Sequence, residues 1–181
     1  ELLKDESPDV RYAVAYALGQ TKAKAAEPLL IAGFDRFDST GVSMKVNAAI
    51  LEAIGKCGSK KALQQMSTVS TYKPGDSILV EGLAWGIYRF ALRGITDTTA
   101  TKRMVEMLGN PQFSNRIHYV AAYFLARANV QLDTFASFLA PLAPKEKRPF
   151  IRMALASSLG KTTKPYAADT LIRWLPKEPD Y

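Results

Sequence analysis

The sequence predicts an all-α solenoid of about five helix pairs, and two observations predict it. The first is a ten-residue pattern that keeps returning: VRYAVAYALG at 10–19, VNAAILEAIG at 46–55, AWGIYRFALR at 84–93, IHYVAAYFLA at 117–126 and IRMALASSLG at 151–160. These copies start 36, 38, 33 and 34 residues apart, and a nearly fixed period in this range marks a stack of like units. The second is that an amphipathic stretch of helical period follows each copy, so the unit is a helix pair. Neither helix of a pair can bury its apolar stripe alone, which forces neighbouring units to stack. The expected units lie near 5–37, 38–73, 74–109, 110–143 and 144–176 of one array spanning 1–181.

Composition agrees with a packed domain and excludes several classes. With 181 residues, 48% of them hydrophobic, a core is feasible. No run approaches the ~18 apolar residues of a membrane-spanning helix. No basic and then apolar leader is visible, although the chain starts at Glu1 rather than Met, so the compartment stays open. A single cysteine, Cys57, excludes a disulfide within the chain, and a single histidine, His118, excludes a multi-histidine metal site. There is no Gly-rich phosphate loop, zinc spacing or paired-carboxylate constellation. No catalytic, cofactor-binding or metal-ligating residue is therefore assigned. The net charge of +7 is uneven: 11 Lys/Arg against 10 Asp/Glu in residues 1–90, but 13 against 7 in 91–181. A basic half attracts nucleic acid, anionic membranes or acidic proteins, and it also serves solubility.

Taken in order, Glu1 to Lys4 resembles the tail of a helix, and Asp5-Glu6-Ser7-Pro8 reads as a turn. Ser7 suits the N-cap and Pro8 the first helical position, where its missing donor costs nothing. The first helix is expected to run to Leu18 and to stop at Gly19, with Val10, Ala13, Val14, Ala17 and Leu18 on its inner face. The second, near 24–34, should turn Ala26, Leu29 and Leu30 inward. Unit two repeats the cap at Ser43 and the stop at Gly55, then has a weakly patterned helix near 59–69. The polar stretch STYKPG at 70–75 is the expected mobile loop.

Unit three should begin its first helix near Asp76 or Ser77 and carry it to Arg93. Gly82 and Gly86 lie inside it; each costs a helix ~1 kcal/mol relative to alanine, which implies tight packing or a kink. Its second helix is expected near 98–108. Unit four is capped by Ser114, and its Tyr119 and Tyr123 answer Tyr12 and Tyr16. Its second helix, near 131–142, carries Leu132, Phe135 and Leu139 and should end or bend at Pro141. Unit five opens at Pro149 and ends its first helix at Gly160; its second starts at Lys164-Pro165, with Ala168, Leu171, Ile172 and Leu175 facing in. Both chain ends read as cuts within a longer array, because no polar capping face is visible.

A polar turn, Val-Arg or its analogue, the A-x-x-x-A-L-G ending and a second amphipathic helix together resemble HEAT-like repeats of the short bacterial type. These are related to the HEAT-like repeats of bilin lyases. The resemblance covers essentially the whole chain, strongest in units one and five and weakest in three. The period is shorter than the roughly 40–47 residues of larger HEAT and armadillo repeats, and the marker residues of tetratricopeptide and ankyrin repeats are missing. The resemblance implies a right-handed armadillo-like superhelix with second helices lining the concave face. It also implies binding of proteins or peptides, and fusion to further domains. In bacteria such arrays accompany cyclophilin-type prolyl isomerases, but nothing in these residues is a cyclophilin active site.

Individual residues have two readings each. Arg11 and Arg152 sit at the Val-Arg position, where the resemblance favours a bond to a turn over phosphate contact. Tyr12, Tyr16, Tyr119 and Tyr123 read as packing between units or as a binding face. Trp85 and Trp174 invite comparison with HEAT-like alkylpurine DNA glycosylases, yet no motif aligns with that site, and packing is the expected role. His118 occupies the Arg11 position and reads as a surface or inter-unit hydrogen-bonder. Cys57 is reactive if Lys56 lowers its pKa and otherwise a structural thiol, the expected outcome.

The functional expectation is a non-catalytic scaffold of a larger protein that grips a protein or peptide partner on its concave face. The alternative is a nucleic-acid-binding array, glycosylase-like, using the basic C-terminal half. For either, the candidate contacts are the cations at helix starts and ends: Lys60, Lys61, Lys102, Arg103, Lys161, Lys164 and Arg173. No cofactor is implied, no residue supports a bilin site, and the oligomeric state is not indicated.

Overall fold

A computed structural model describes residues 1–68 and 76–177. The expected loop at 70–75 and the last four residues lie outside these, as does the end of the second helix of unit two. The described residues form ten α-helices: α1 Pro8–Thr21, α2 Ala26–Gly33, α3 Met44–Cys57, α4 Lys60–Ser67, α5 Ser77–Leu92, α6 Thr98–Gly109, α7 Asn115–Arg127, α8 Ala136–Leu142, α9 Pro149–Leu159 and α10 Pro165–Trp174. They stack as an α-solenoid in two layers, with the odd-numbered first helices in one and the even-numbered second helices in the other. A continuous core runs between the layers, centred on fully buried side chains such as Leu30, Leu63, Phe90, Met104, Phe124 and Leu155.

First helices approach at the level of the backbone. An added Cβ on Gly82 would lie 2.5 Å from the Cα of Ala48, one on Gly86 2.5 Å from the Leu51 carbonyl oxygen, and one on Gly55 would overlap the Gly86 carbonyl. The two glycines of α5 therefore serve close packing against α3. Gly19 does the same for α1, lying under Ala53. This corrects the expected helix stops. α1 continues past Gly19 to Thr21 and ends at Lys22 in the left-handed region, φ 54°. α3 passes Gly55 to Cys57. Only Gly160 follows the end of its helix, α9, as expected.

Second helices are shorter and are joined differently. Ser59, the N-cap of α4, donates both its backbone N–H and its hydroxyl to Glu27 of α2, at 2.8 Å each. Gln64 of α4 donates to Asp97, the N-cap of α6, at 3.0 Å. Thr163, just before α10, donates its N–H and hydroxyl to Asp133 at 2.7 and 2.8 Å. Each bond couples one unit to the start of the next second helix. Between α2 and α4 an opening of about 630 Å³ remains.

A third recurring device holds the turns. Arg11 donates to the carbonyls of Asp5 and Glu6 at 2.7 and 3.1 Å, and Arg152 to the carbonyl of Lys147 at 2.7 Å. Asn47, 36 residues after Arg11, donates to the Asp35 carbonyl at 2.8 Å and accepts the Asp35 N–H at 2.9 Å. His118 pairs with the Asn110 carbonyl at 2.8 Å. In four of the five copies, Trp85 of the third being the exception, the second position of the repeated pattern therefore grips the preceding turn, which matches the turn-bonding reading of Arg11 and Arg152. The N-caps are mixed. Ser114 accepts the Ile117 N–H at 3.4 Å, whereas Ser7 and Ser43 make no side-chain cap bond. Ser43 instead donates its hydroxyl to Asp35 at 2.9 Å.

The ends depart most from the expected faces. On α1, Ala15 and Gly19 are buried while Val10, Ala13 and Ala17 are exposed. On α2, Leu29 turns outward, 55% exposed. On α10, Ala167 and Trp174 are buried and Leu171 partly so, while Ala168 and Leu175 are exposed and Ile172 is 70% exposed. The long helix expected near 131–142 is a 3-10 turn, Asp133–Phe135, followed by the short α8, which contains Pro141 and ends one residue later.

Candidate functional site across the first helices

The outer face of the first helices carries a groove of about 620 Å³ that crosses α1, α3 and α5 and reaches α7. Its floor is made of small residues, Ala49, Ala53 and Gly82, the same ones that let the helices approach. Large side chains flank that floor. Tyr12 and Tyr16, one helical turn apart on α1, are 47% and 53% exposed, and Trp85 stands on the opposite side on α5. The tyrosines thus lie on the open face and are not packed between units.

A chain of interactions fixes the flanks. The Lys56 ammonium lies 5.2 Å from the Tyr16 ring centroid and 3.2 Å from a Glu52 oxygen. Arg89 reaches the same oxygen at 3.0 Å and lies 5.3 Å from the Trp85 ring centroid. Arg116 pairs with Glu81 at 2.9 Å. Lys56 and Arg89 are each attracted to both the shared Glu52 carboxylate and a ring face, so the aromatic rings of the groove are held in place by the cations beside them. Farther along the layer, Tyr119 and Tyr123 stack at 4.5 Å, with Arg127 at 4.7 Å from the Tyr123 ring.

Reactive groups sit elsewhere and are engaged. Cys57 is buried, its thiol donates to the Ala53 carbonyl at 3.3 Å, and burial pushes its pKa up, outweighing the lowering by Arg93. His118, 6% exposed, lies between the Asn110 carbonyl and Arg148, whose guanidinium is 2.9 Å from Nδ1. A guanidinium only donates, so Nδ1 accepts and Nε2–H donates to Asn110. His118 is therefore an inter-unit hydrogen-bonder. Among the described residues no cluster of His, Cys, Asp or Glu suits a metal ion, and no helix is long and apolar enough to cross a membrane.

The seven cations expected as contacts do not act alike. Lys60, Lys61 and Lys164 are exposed at helix starts, and Lys102 is exposed 4.0 Å from Glu106. Arg103 donates to the Ser67 carbonyl at 3.3 Å and to Glu106 at 2.6 Å, tying α6 to the end of α4. Lys161 donates to the carbonyls of Leu125, Ala126 and Ala128 at 2.6, 3.3 and 2.7 Å. It caps the end of α7, a favourable place for a cation, and burial lowers its pKa. Arg173 is exposed on α10 and lines a separate pocket. The groove network was only partly readable in advance. Glu52 and Lys56 show the i,i+4 spacing of a helix pair, but nothing local places Arg89 beside them.

The architecture defines a class: an α-solenoid of stacked helix pairs with an open face across its first helices. Residues 1–84 match the family model of HEAT repeats, and the helix pairs beyond them continue the same α-solenoid. HEAT repeats generally serve as protein-interaction scaffolds and are typically non-catalytic. No curated protein matches this sequence.

Proposed function

We propose that the chain is a non-catalytic scaffold that holds a protein or peptide partner along the groove of its first helices. The observation that carries this reading is the aromatic flank, Tyr12 and Tyr16 facing Trp85 over a small-residue floor, with Lys56 and Arg89 tied to Glu52 beside the rings. Exposed, pre-positioned aromatic rings offer large contact area at low cost in side-chain entropy.

The test is site-specific photo-cross-linking in the native host. A photoreactive residue at Tyr16 or Trp85 should trap one defined partner, and the same residue at the exposed Phe37 should not. Trp85→Ala should then weaken co-purification of that partner by at least about tenfold, the scale of a truncated aromatic anchor. Equal trapping from Phe37, or turnover of a substrate by the purified chain, would overturn the reading.

A further inference from the structure

At the other end of the array lies a pocket of about 890 Å³, formed by the turn after α8, the start of α9 and one face of α10. One wall is cationic: Lys145 and Lys147 from the turn, Arg152 from α9 and Arg173 from the last turn of α10. The acid within the pocket, Glu146, is neutralised. Arg148 donates to both of its oxygens, through Nε at 2.7 Å and Nη2 at 2.6 Å. Lys145, Lys147 and Arg173 form no ion pair among the described residues. Arg152 is held toward the pocket by its bond to the Lys147 carbonyl. Asp169, the nearest acid to Arg173 along α10, does not line the pocket. The remaining lining is mainly apolar, with Pro141, Pro144, Tyr166 and the nine-tenths-buried Trp174 beside Thr170.

We infer that this pocket is a second docking point, for an acidic peptide segment of a partner that also carries an apolar side chain. Lys145, Lys147 and Arg173, beside an acid that is already paired, leave a positive surface that anionic groups complement. The apolar part of the lining adds a requirement that a phosphate backbone does not meet, since a side chain must leave water to cover it. The pocket lies at the C-terminal end and the groove on the layer of first helices, so one extended partner can engage both and gain from their linkage. The inference rests on the scaffold reading above.

The test is fluorescence anisotropy of the full chain with three labelled probes: a peptide alternating Glu and Leu, its Gln–Leu counterpart, and random duplex DNA. The Glu–Leu peptide should bind and the Gln–Leu peptide should not. Lys147→Glu and Arg173→Glu should each weaken binding about tenfold, the scale for reversing a contact charge. Lys24→Glu, an exposed charge reversal at the opposite end, should leave binding unchanged. Equal binding of the Gln–Leu peptide, no sensitivity to either pocket variant, or tighter binding of DNA than of the acidic peptide would each overturn the inference. The two readings fail separately. Loss of peptide binding with Tyr16 cross-linking intact removes only the pocket, and the reverse removes only the groove.

Discussion

The first-helix layer and the second-helix layer are joined by different physics. In the first, α1, α3 and α5 meet through Gly19, Gly55, Gly82 and Gly86, with backbone against backbone. In the second, α2 and α4 leave an opening, and the units are linked by Glu27–Ser59, Gln64–Asp97 and Asp133–Thr163. Close packing tolerates almost no change of volume, whereas a partly exposed hydrogen bond exchanges readily with water. This explains why the repeated ten-residue pattern tracks the first helices alone. Their inner faces are constrained at every copy, while the second helices need only an apolar stripe and one polar contact.

The sharpest way to break this comparison is Gly55→Val. Its side chain would meet the Gly86 backbone, which cannot move without displacing α5. A loss of at least about 3 kcal/mol is expected, at the upper end for overpacking. A urea-denaturation midpoint equal to that of the parent chain would refute backbone contact as the basis of the first layer.

The joint between the layers should respond to acid. Hydrogen bonds from Arg148 hold the Glu146 carboxyl down at about 2, against an ordinary 4.5. A depressed carboxyl contributes stability that is present above the ordinary value and is lost as pH falls towards the folded one. Glu146→Gln should therefore cost about 1–2 kcal/mol at pH 7, after allowing for solvent screening of a partly exposed pair. The difference between the two proteins should close between about pH 4.5 and 2. A gap that persists at the acid end would assign the effect to packing.

The smallest effect belongs to the second layer. Glu27→Ala removes both acceptors of Ser59 and should cost about 1 kcal/mol, the scale of a lost helix cap. Hydrogen exchange should quicken at the start of α4 and leave α3 and α5 protected. Uniform acceleration along the chain would show that the layers do not open separately.

Much of the fold was legible in the sequence because the solenoid period is written into α1, α3, α5, α7 and α9. The inner faces were legible only where both neighbours lie within the described residues. At the ends, Val10, Ala13, Leu29 and Ile172 follow the periodicity of buried residues but are exposed, with no neighbouring unit among the described residues to cover them. Gly19 and Gly55 were misread as stops because a glycine after a leucine serves equally to end a helix or to admit another. The candidate site was hardly legible. Glu52 and Arg89 are 37 residues apart and come together only through stacking. Arg103 and Lys161 have the composition of a binding patch but bond to carbonyls of the preceding unit.

The unequal seams also set the mechanics of the array. Separating the first helices exposes apolar surface all along the seam, while separating the second helices only trades a few hydrogen bonds for water. The chain is therefore built like a bound book, with a stiff spine and a free edge. A partner seated on the spine meets a nearly rigid surface, and strain applied to the whole array is taken up at the free edge as the spaces between second helices widen or close.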